Sequence, residues 1–319
     1  MSLSTLNNLN QTSLKGVKAI IYSSDGKILL QKRDNKATIP MPNFWNFFGG
    51  LTENKELPIN AIKRELIEEL SCVPGNLEKL LFKWIFRNEW QSAINYFYPV
   101  KYNKKIKKLI LKEGQCMKWF SLEELNDINC TQSIYQNLSK IFNFLKKNTN
   151  IRYKESIIRF EKKYISNCNL IKKNDRVYYA RNKNFNINIQ QIFFLKELSF
   201  LKKVNVSRIC LHTNDNDLIH EMIMIHSKKT KIGPLKQKNR MISYHIIFGD
   251  LKISTLNSKN KINKIYLLNE FQESIKSLKT LRLNSEIYRI VESLSDSSIF
   301  LETTSGPFKD SDTLCLKNK

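Results

Sequence analysis

Residues 49–72 read GGLTENKELPINAIKRELIEELSC, and their spacing decides the first half of the chain. Gly50 is followed after five residues by Glu56, after seven more by Arg64-Glu65, and then by Glu68-Glu69. Pro58 suits the first turn of a helix, where its missing N–H is not needed. Ile59, Ile62, Leu66 and Leu70 recur at three- and four-residue steps, so one helix face is apolar and buried. Glu65 and Glu69 stand one turn apart, and so do Glu65 and Glu68, which brings three carboxylates to one edge. Like charges at this spacing repel, and a hard cation relieves them. Mg²⁺ favours carboxylates, waters and phosphate oxygens. Arg64 is placed to brace a carboxylate through a bidentate contact. A glycine loop running into such a helix is a means of holding divalent metal against a phosphate chain.

Register and residue types here resemble the box of the Nudix hydrolases, G-x5-E-x7-R-E-U-x-E-E-x-G-U with U aliphatic. Gly50, Glu56, Arg64, Glu65, Leu66, Glu68 and Glu69 match. Ser71 replaces the second glycine and Cys72 the last aliphatic residue. A serine at the positive φ of that position costs roughly 1 kcal/mol and removes no ligand. The flanks agree: residues 17–22 and 27–32 read as strand, turn (Asp25-Gly26) and strand. Residues 111–125 resemble the family's closing loop, strand and helix start, and 130–147 read as one amphipathic helix.

The resemblance implies an α+β Nudix fold, a mixed sheet between helices, over residues 14–147 after a tail of 1–13. It also implies cleavage of a nucleoside diphosphate linked to another group. Mg²⁺, or Mn²⁺ in its place, would be held by Glu65, Glu68, Glu69 and the Gly49 carbonyl. Gly50 and Glu56 would support the box, and Arg64 would orient a carboxylate. The base that takes the water's proton is Glu65 or Glu113. Trp45, Phe47, Trp84, Phe86 and Trp90 are the aromatics available to stack on a base, and Gln31 and Arg33 could line the pocket on the strand side.

After Asn148-Thr149-Asn150 the texture changes. We read 148–164 as linker and helix, and 192–203 as a short helix. Elsewhere from 165 to 319 short apolar runs alternate with turns, at 177–180, 207–212, 221–225, 244–248 and 251–254. Many strands without intervening helices point to an all-β sandwich or barrel. Residues 165–319 resemble the WbuC family of cupin-fold proteins found with surface-polysaccharide genes. Arg208-Ile-Cys-Leu-His-Thr213, His220-Glu-Met222, Ser243-Tyr-His245 and Glu302-Thr-Thr-Ser-Gly-Pro-Phe308 carry that likeness. The positions that hold the cupin metal carry Leu235, Gln237, Ile242 and Arg289, so no metal is expected in this cupin-like barrel. Lys236, His245 and Arg289 are its candidate pocket residues, with anions favoured. His212, His220 and His226 form no ligand pattern by spacing.

The 319 residues carry a net charge of +24, and lysine is spread along the chain rather than gathered in a stripe. Lys, Asn and Ile are abundant together, which accounts for the charge by composition and argues against nucleic acid as a partner. Six scattered cysteines without a CxxC pair indicate neither a zinc site nor a disulfide framework. No apolar run is long enough to span a membrane, and the N-terminus lacks the features of a secretory signal. We therefore expect a cytoplasmic protein with a nucleotide-type small-molecule substrate. A homodimer is what both resemblances suggest. The leading reading is a Mg²⁺-dependent pyrophosphohydrolase acting on a nucleotide sugar or nucleotide in surface-polysaccharide metabolism. The alternatives are a non-catalytic nucleotide or nucleotide-sugar binding protein and an RNA 5′-end pyrophosphohydrolase.

Overall fold

The computed structural model describes residues 14–87, 92–271 and 277–316. The chain divides into two compact units, Met1–Phe160 and Glu161–Lys319. Trp90, one of the five candidate stacking aromatics, lies outside the described residues.

The first unit contains β1 (Leu14–Tyr22), β2 (Ile28–Lys32), β3 (Trp45–Asn46), α1 (Pro58–Leu70), β4 (Phe82–Arg87), β5 (Ser92–Lys101), β6 (Cys116–Phe120), α2 (Gln132–Tyr135) and α3 (Leu138–Asn148). Its sheet runs β3-β2-β1-β5-β4, with β6 paired to β2. The sheet is mixed, because β1 and β5 are parallel while β1–β2 and β4–β5 are antiparallel. β1 is buried almost throughout its apolar run, as a central strand covered on both faces must be. Val17, Ala19 and Ile21 on one face pack with Ala61, Ile62, Leu66 and Leu70 of α1. Near the end of β1 the ring of Tyr22 meets Phe144 of α3 edge-on at 5.2 Å.

The helix expected over 130–147 is two helices. The break falls at Gln136-Asn137, where buried Asn137 leaves the helical region with φ −130°. Its amide donates to the Ser133 carbonyl at 3.1 Å, the local competition with the backbone that makes asparagine a poor helix interior residue. α4 (Tyr153–Asn167) then forms within the stretch read as linker and helix.

The second unit holds β7 (Leu170–Lys172), β8 (Val177–Ala180), α5 (Ile189–Leu201), β9 (Val206–Cys210), β10 (Ile219–Ser227), β11 (Lys231–Gln237), β12 (Ile242–Phe248), β13 (Asp250–Leu256), β14 (Ile262–Asn269), β15 (Thr280–Leu283), β16 (Arg289–Ser293), β17 (Ser297–Ser305) and β18 (Thr313–Cys315). They make a seven-stranded sheet, β15-β12-β17-β10-β9-β8-β7, and a five-stranded one, β14-β13-β16-β11-β18. The β-rich expectation holds, but among the described residues the strands form two sheets and no closed barrel. The chain changes sheet at Gly249, whose φ is +73°, just after the irregularity between Ile246 and Phe248. Such bends are how strands switch between packed sheets. Tyr244 and Phe300 of one sheet share a core with Leu251, Ile253 and Val291 of the other. α5 starts three residues before the predicted 192, because Asn188 and Gln191 form a reciprocal capping box. It is apolar on nearly every side and is correspondingly buried.

Candidate active site

The glycine pair is stitched to β1. Val17 N–H donates to the Gly50 carbonyl and Ala19 N–H to the Phe48 carbonyl, both at 2.9 Å. Gly49 has φ +115°, and a Cβ there would lie 2.2 Å from the Val17 carbonyl oxygen. Only glycine fits this approach. At Gly50 the close neighbour is functional, since a Cβ would lie 2.5 Å from Oε2 of Glu65.

α1 presents the carboxylates at three depths. Glu69 is on the buried face with Ile62 and Leu66 and is 6% exposed. Its Oε1 accepts from Gln31 Nε2 at 2.5 Å and its Oε2 from the Gly49 N–H at 2.7 Å. Burial pushes its pKa up to about 7, against the pull of these two donors and of Lys18. Glu65 is also raised by burial, opposed by Arg64. Glu68 is half-exposed.

Arg64 organises the outer shell. Its Nε and Nη2 reach both oxygens of Glu56 at 3.1 and 2.9 Å, and Nη2 also donates to the Leu51 carbonyl at 3.0 Å. Its Nη1 bridges Glu65 Oε1 at 2.9 Å and Glu68 Oε2 at 3.1 Å. Glu56 is held below the usual carboxylate range by Arg64 first, and then by the Glu53 N–H. The helix stops at Ser71 with φ 60°, the left-handed conformation that a glycine takes without strain.

Lys18 was not among the expected site residues. Its Nζ donates to the Gly49 carbonyl at 3.0 Å. Burial lowers its pKa, opposed by the charges of Glu69 and Glu65. The oxygen expected to ligate metal is thus already an acceptor for an ammonium. The only sequence signal was a lysine inside the apolar run VKAIIY. Gln31, expected to line the pocket, instead fixes Glu69.

Among the described residues no group of three or more His, Cys, Asp or Glu side chains is gathered closely enough to hold a metal ion. Arg64 engages one oxygen each of Glu65 and Glu68. The donor chemistry of Glu65, Glu68 and Glu69 suits a hard cation. The Gly49 carbonyl suits one only in competition with Lys18.

The remaining expected residues are scattered. Glu113 is exposed in a loop tied to the site by Lys112 N–H to the Glu69 carbonyl (2.8 Å) and Gln115 N–H to the Lys32 carbonyl (2.8 Å). Arg33 donates through Nε to the Pro40 carbonyl at 3.0 Å, and its charge is felt at Glu69. Trp45 packs edge-on against Phe120 at 4.7 Å, and Trp84 lies half-buried beside Phe86 on β4. Phe47 is fully buried and meets Phe97 edge-on, so it is core and offers no face to a base.

In the second unit the three expected pocket residues are not brought together. Arg289 is buried and donates from Nε to the Tyr244 hydroxyl at 2.5 Å. Lys236 is engaged outside that core by Glu286 at 2.7 Å. His245, next to Tyr244 in β12, is exposed on the opposite face and bonds Thr280 Oγ1 at 2.8 Å. Conversely, His212 and His220, unconnected by spacing, stack with ring centroids 4.0 Å apart. Burial pushes His212 down to about 4.

Residues 12–138 match the family model of the NUDIX domain. An RNA pyrophosphohydrolase of Bartonella bacilliformis is 26% identical over 117 residues, 35% of this chain and 62% of that protein. The chain thus spans less than two thirds of the length of this relative. Among solved structures, a MutT protein from Methanosarcina mazei Go1 aligns at 21% identity and TM-score 0.36, covering 44% of this chain and 99% of that one. Oxalate decarboxylase from Bacillus subtilis aligns at 16% identity and TM-score 0.26, covering 32% of this chain and 24% of that one. At such TM-scores neither structural likeness carries an argument.

Proposed function

We propose that residues 12–138, as a NUDIX domain, hydrolyse a phosphoric anhydride bond in a nucleoside diphosphate derivative with the help of a divalent metal. The observation that carries this reading is the placement of Glu69 and Glu65. Both are drawn against the Gly49-Gly50 turn, one by the Gly49 N–H and Gln31, the other by Arg64. Glu65, Glu68 and Glu69 would hold Mg²⁺ or Mn²⁺. Bound there, the metal would neutralise phosphate charge and lower the pKa of a bound water.

This chain's own residues do the positioning. Arg64 fixes the carboxylate of Glu65 at one oxygen, and the whole carboxylate lies against Gly50, where the missing Cβ makes room. Glu65, whose pKa burial raises above the ordinary carboxylate value, is one candidate to take a proton from water. Glu113 is the alternative base, brought beside the site by its anchored loop. Arg33 and Trp84 are the residues left on the strand side to meet phosphate and base.

Two substrate classes have support. The nucleotide-sugar reading, with a role in surface-polysaccharide metabolism, rests on the resemblance of the second half to WbuC-type cupins. The RNA 5′-end reading rests on the curated relative named an RNA pyrophosphohydrolase and on the net charge of +24. We favour a small nucleotide derivative, because the lysines are spread rather than clustered. A Mg²⁺ screen over nucleotide sugars, dinucleotides, nucleoside triphosphates and 5′-triphosphate RNA, coupled to phosphatase, tests this. Turnover confined to RNA would replace the first reading with the second. No turnover with retained nucleotide binding would leave a binding protein.

A further inference from the structure

We propose that Lys18 is a built-in cation of this site, and that it takes the place of one divalent ion at the Gly49 carbonyl. The inference rests on the metal-dependent reading above.

Three observations converge on the Gly49-Gly50 turn. Gly49 N–H is spent on Glu69 Oε2 at 2.7 Å. The Gly49 carbonyl accepts from Lys18 Nζ at 3.0 Å. The carboxylate of Glu65 lies against the next residue, within 2.6 Å of where a Gly50 Cβ would be. An ammonium ion is therefore fixed where two carboxylates and a carbonyl oxygen would otherwise invite a metal.

Its placement follows from the strand. Val17 and Ala19 point into the core shared with α1, so Lys18 leaves β1 on the other face. Only its four-carbon stem lets it curl back to the Gly49 carbonyl. A side chain that simply needed solvent would not be held on the part-buried carbonyl of the turn that runs beside β1. The carbonyl has two lone pairs, but an ammonium and a divalent ion sharing that oxygen would repel at close range. The site then binds fewer divalent ions than its oxygen donors would allow.

The test counts metal ions without turnover. Free Mn²⁺ is followed by electron paramagnetic resonance while it is titrated into the full-length wild type, Lys18→Met and Lys18→Gln. Gln removes the charge but stays polar, so the two variants together separate the charge of Lys18 from its polarity. Tryptophan fluorescence checks that each protein is folded. We expect both variants to bind one more Mn²⁺ per chain than wild type, or the same number at least tenfold more tightly. Equal stoichiometry and affinity in all three proteins would overturn the role of Lys18 and leave the metal-dependent reading standing. Absence of Mn²⁺ binding in every protein would overturn both.

Discussion

Replacing Glu69 by glutamine should make the metal-free protein more stable and the metal-loaded protein less so. Glu69 is 6% exposed, and burial lifts its pKa from 4.5 to about 7. Between those values the folded chain holds a proton that the unfolded chain has lost. Stability therefore falls as pH rises through this window, by about 3 kcal/mol once pH exceeds 7, at about 1.4 kcal/mol per pH unit. Glutamine carries no charge to bury. It can still accept from the Gly49 N–H, and Gln31 can turn its amide to accept from the new NH₂. The pKa of about 7 already contains the attraction to Lys18, so the gain at pH 8 should be about 3 kcal/mol, vanishing near pH 4.5. All four tryptophans, at 45, 84, 90 and 119, belong to the first unit, so their fluorescence in a urea titration reports that unit alone. In EDTA the Glu69→Gln midpoint should exceed wild type at pH 8 and equal it at pH 4.5. Mg²⁺ far above its Kd should reverse the order, because an ion at about one thousand times its Kd adds about 4.1 kcal/mol to the protein that binds it. A Glu69→Gln protein less stable than wild type in EDTA at pH 8 would refute the reasoning. So would equal stabilisation of both proteins by Mg²⁺.

Ser71→Gly should stabilise the first unit by about 1 kcal/mol, read by the same titration, because glycine takes the φ of 60° at Ser71 without strain. Gly50→Ala should lower Mg²⁺-dependent turnover on the order of 100-fold while the urea midpoint stays within about 1 kcal/mol of wild type, since the new methyl displaces the Glu65 carboxylate. In the second unit, burial holds His226 down to about 4 from 6.5, so the unfolded chain binds more protons between those values. That stability is complete above pH 6.5 and is lost as pH falls toward 4, by about 3 kcal/mol, and peptide-resolved hydrogen exchange should show β10 losing protection over this range. Protection unchanged from pH 7 to pH 4.5 would count against it.

The helix of the site was legible because its signals are local. Pro58 starts it, the Ile62–Leu66–Leu70 face buries it, and the carboxylates fall one turn apart whatever surrounds them. The first hairpin was legible from strand, turn and strand, whereas the mixed sheet rested on the family resemblance, because the parallel pairing of β1 with β5 is a long-range contact. What was not legible depends on tertiary contact. Phe47 and Trp45 look alike as exposed stackers in a sequence, but their depth is set by Phe97 and Phe120 across the sheet. Asn137 breaks a helix whose apolar period continues through it. The pairing of His212 with His220 depends on adjacent strands, and neither spacing nor composition hints at it. Lys18 escaped notice because a lysine in an apolar strand reads as an outward-facing residue, and only the turn at Gly49 gives it a partner. In the second half the strand-rich texture was readable, whereas whether strands close into a barrel depends on which edges pair.

The most direct test of the account is hydrolysis in ¹⁸O-labelled water, with Mg²⁺ and the best substrate from the screen, for wild type, Glu65→Gln and Glu69→Gln. The account predicts one ¹⁸O in a phosphate product of the wild type and loss of turnover by at least 100-fold in both variants. Turnover that survives both substitutions, or label found only outside the phosphate products, would contradict it.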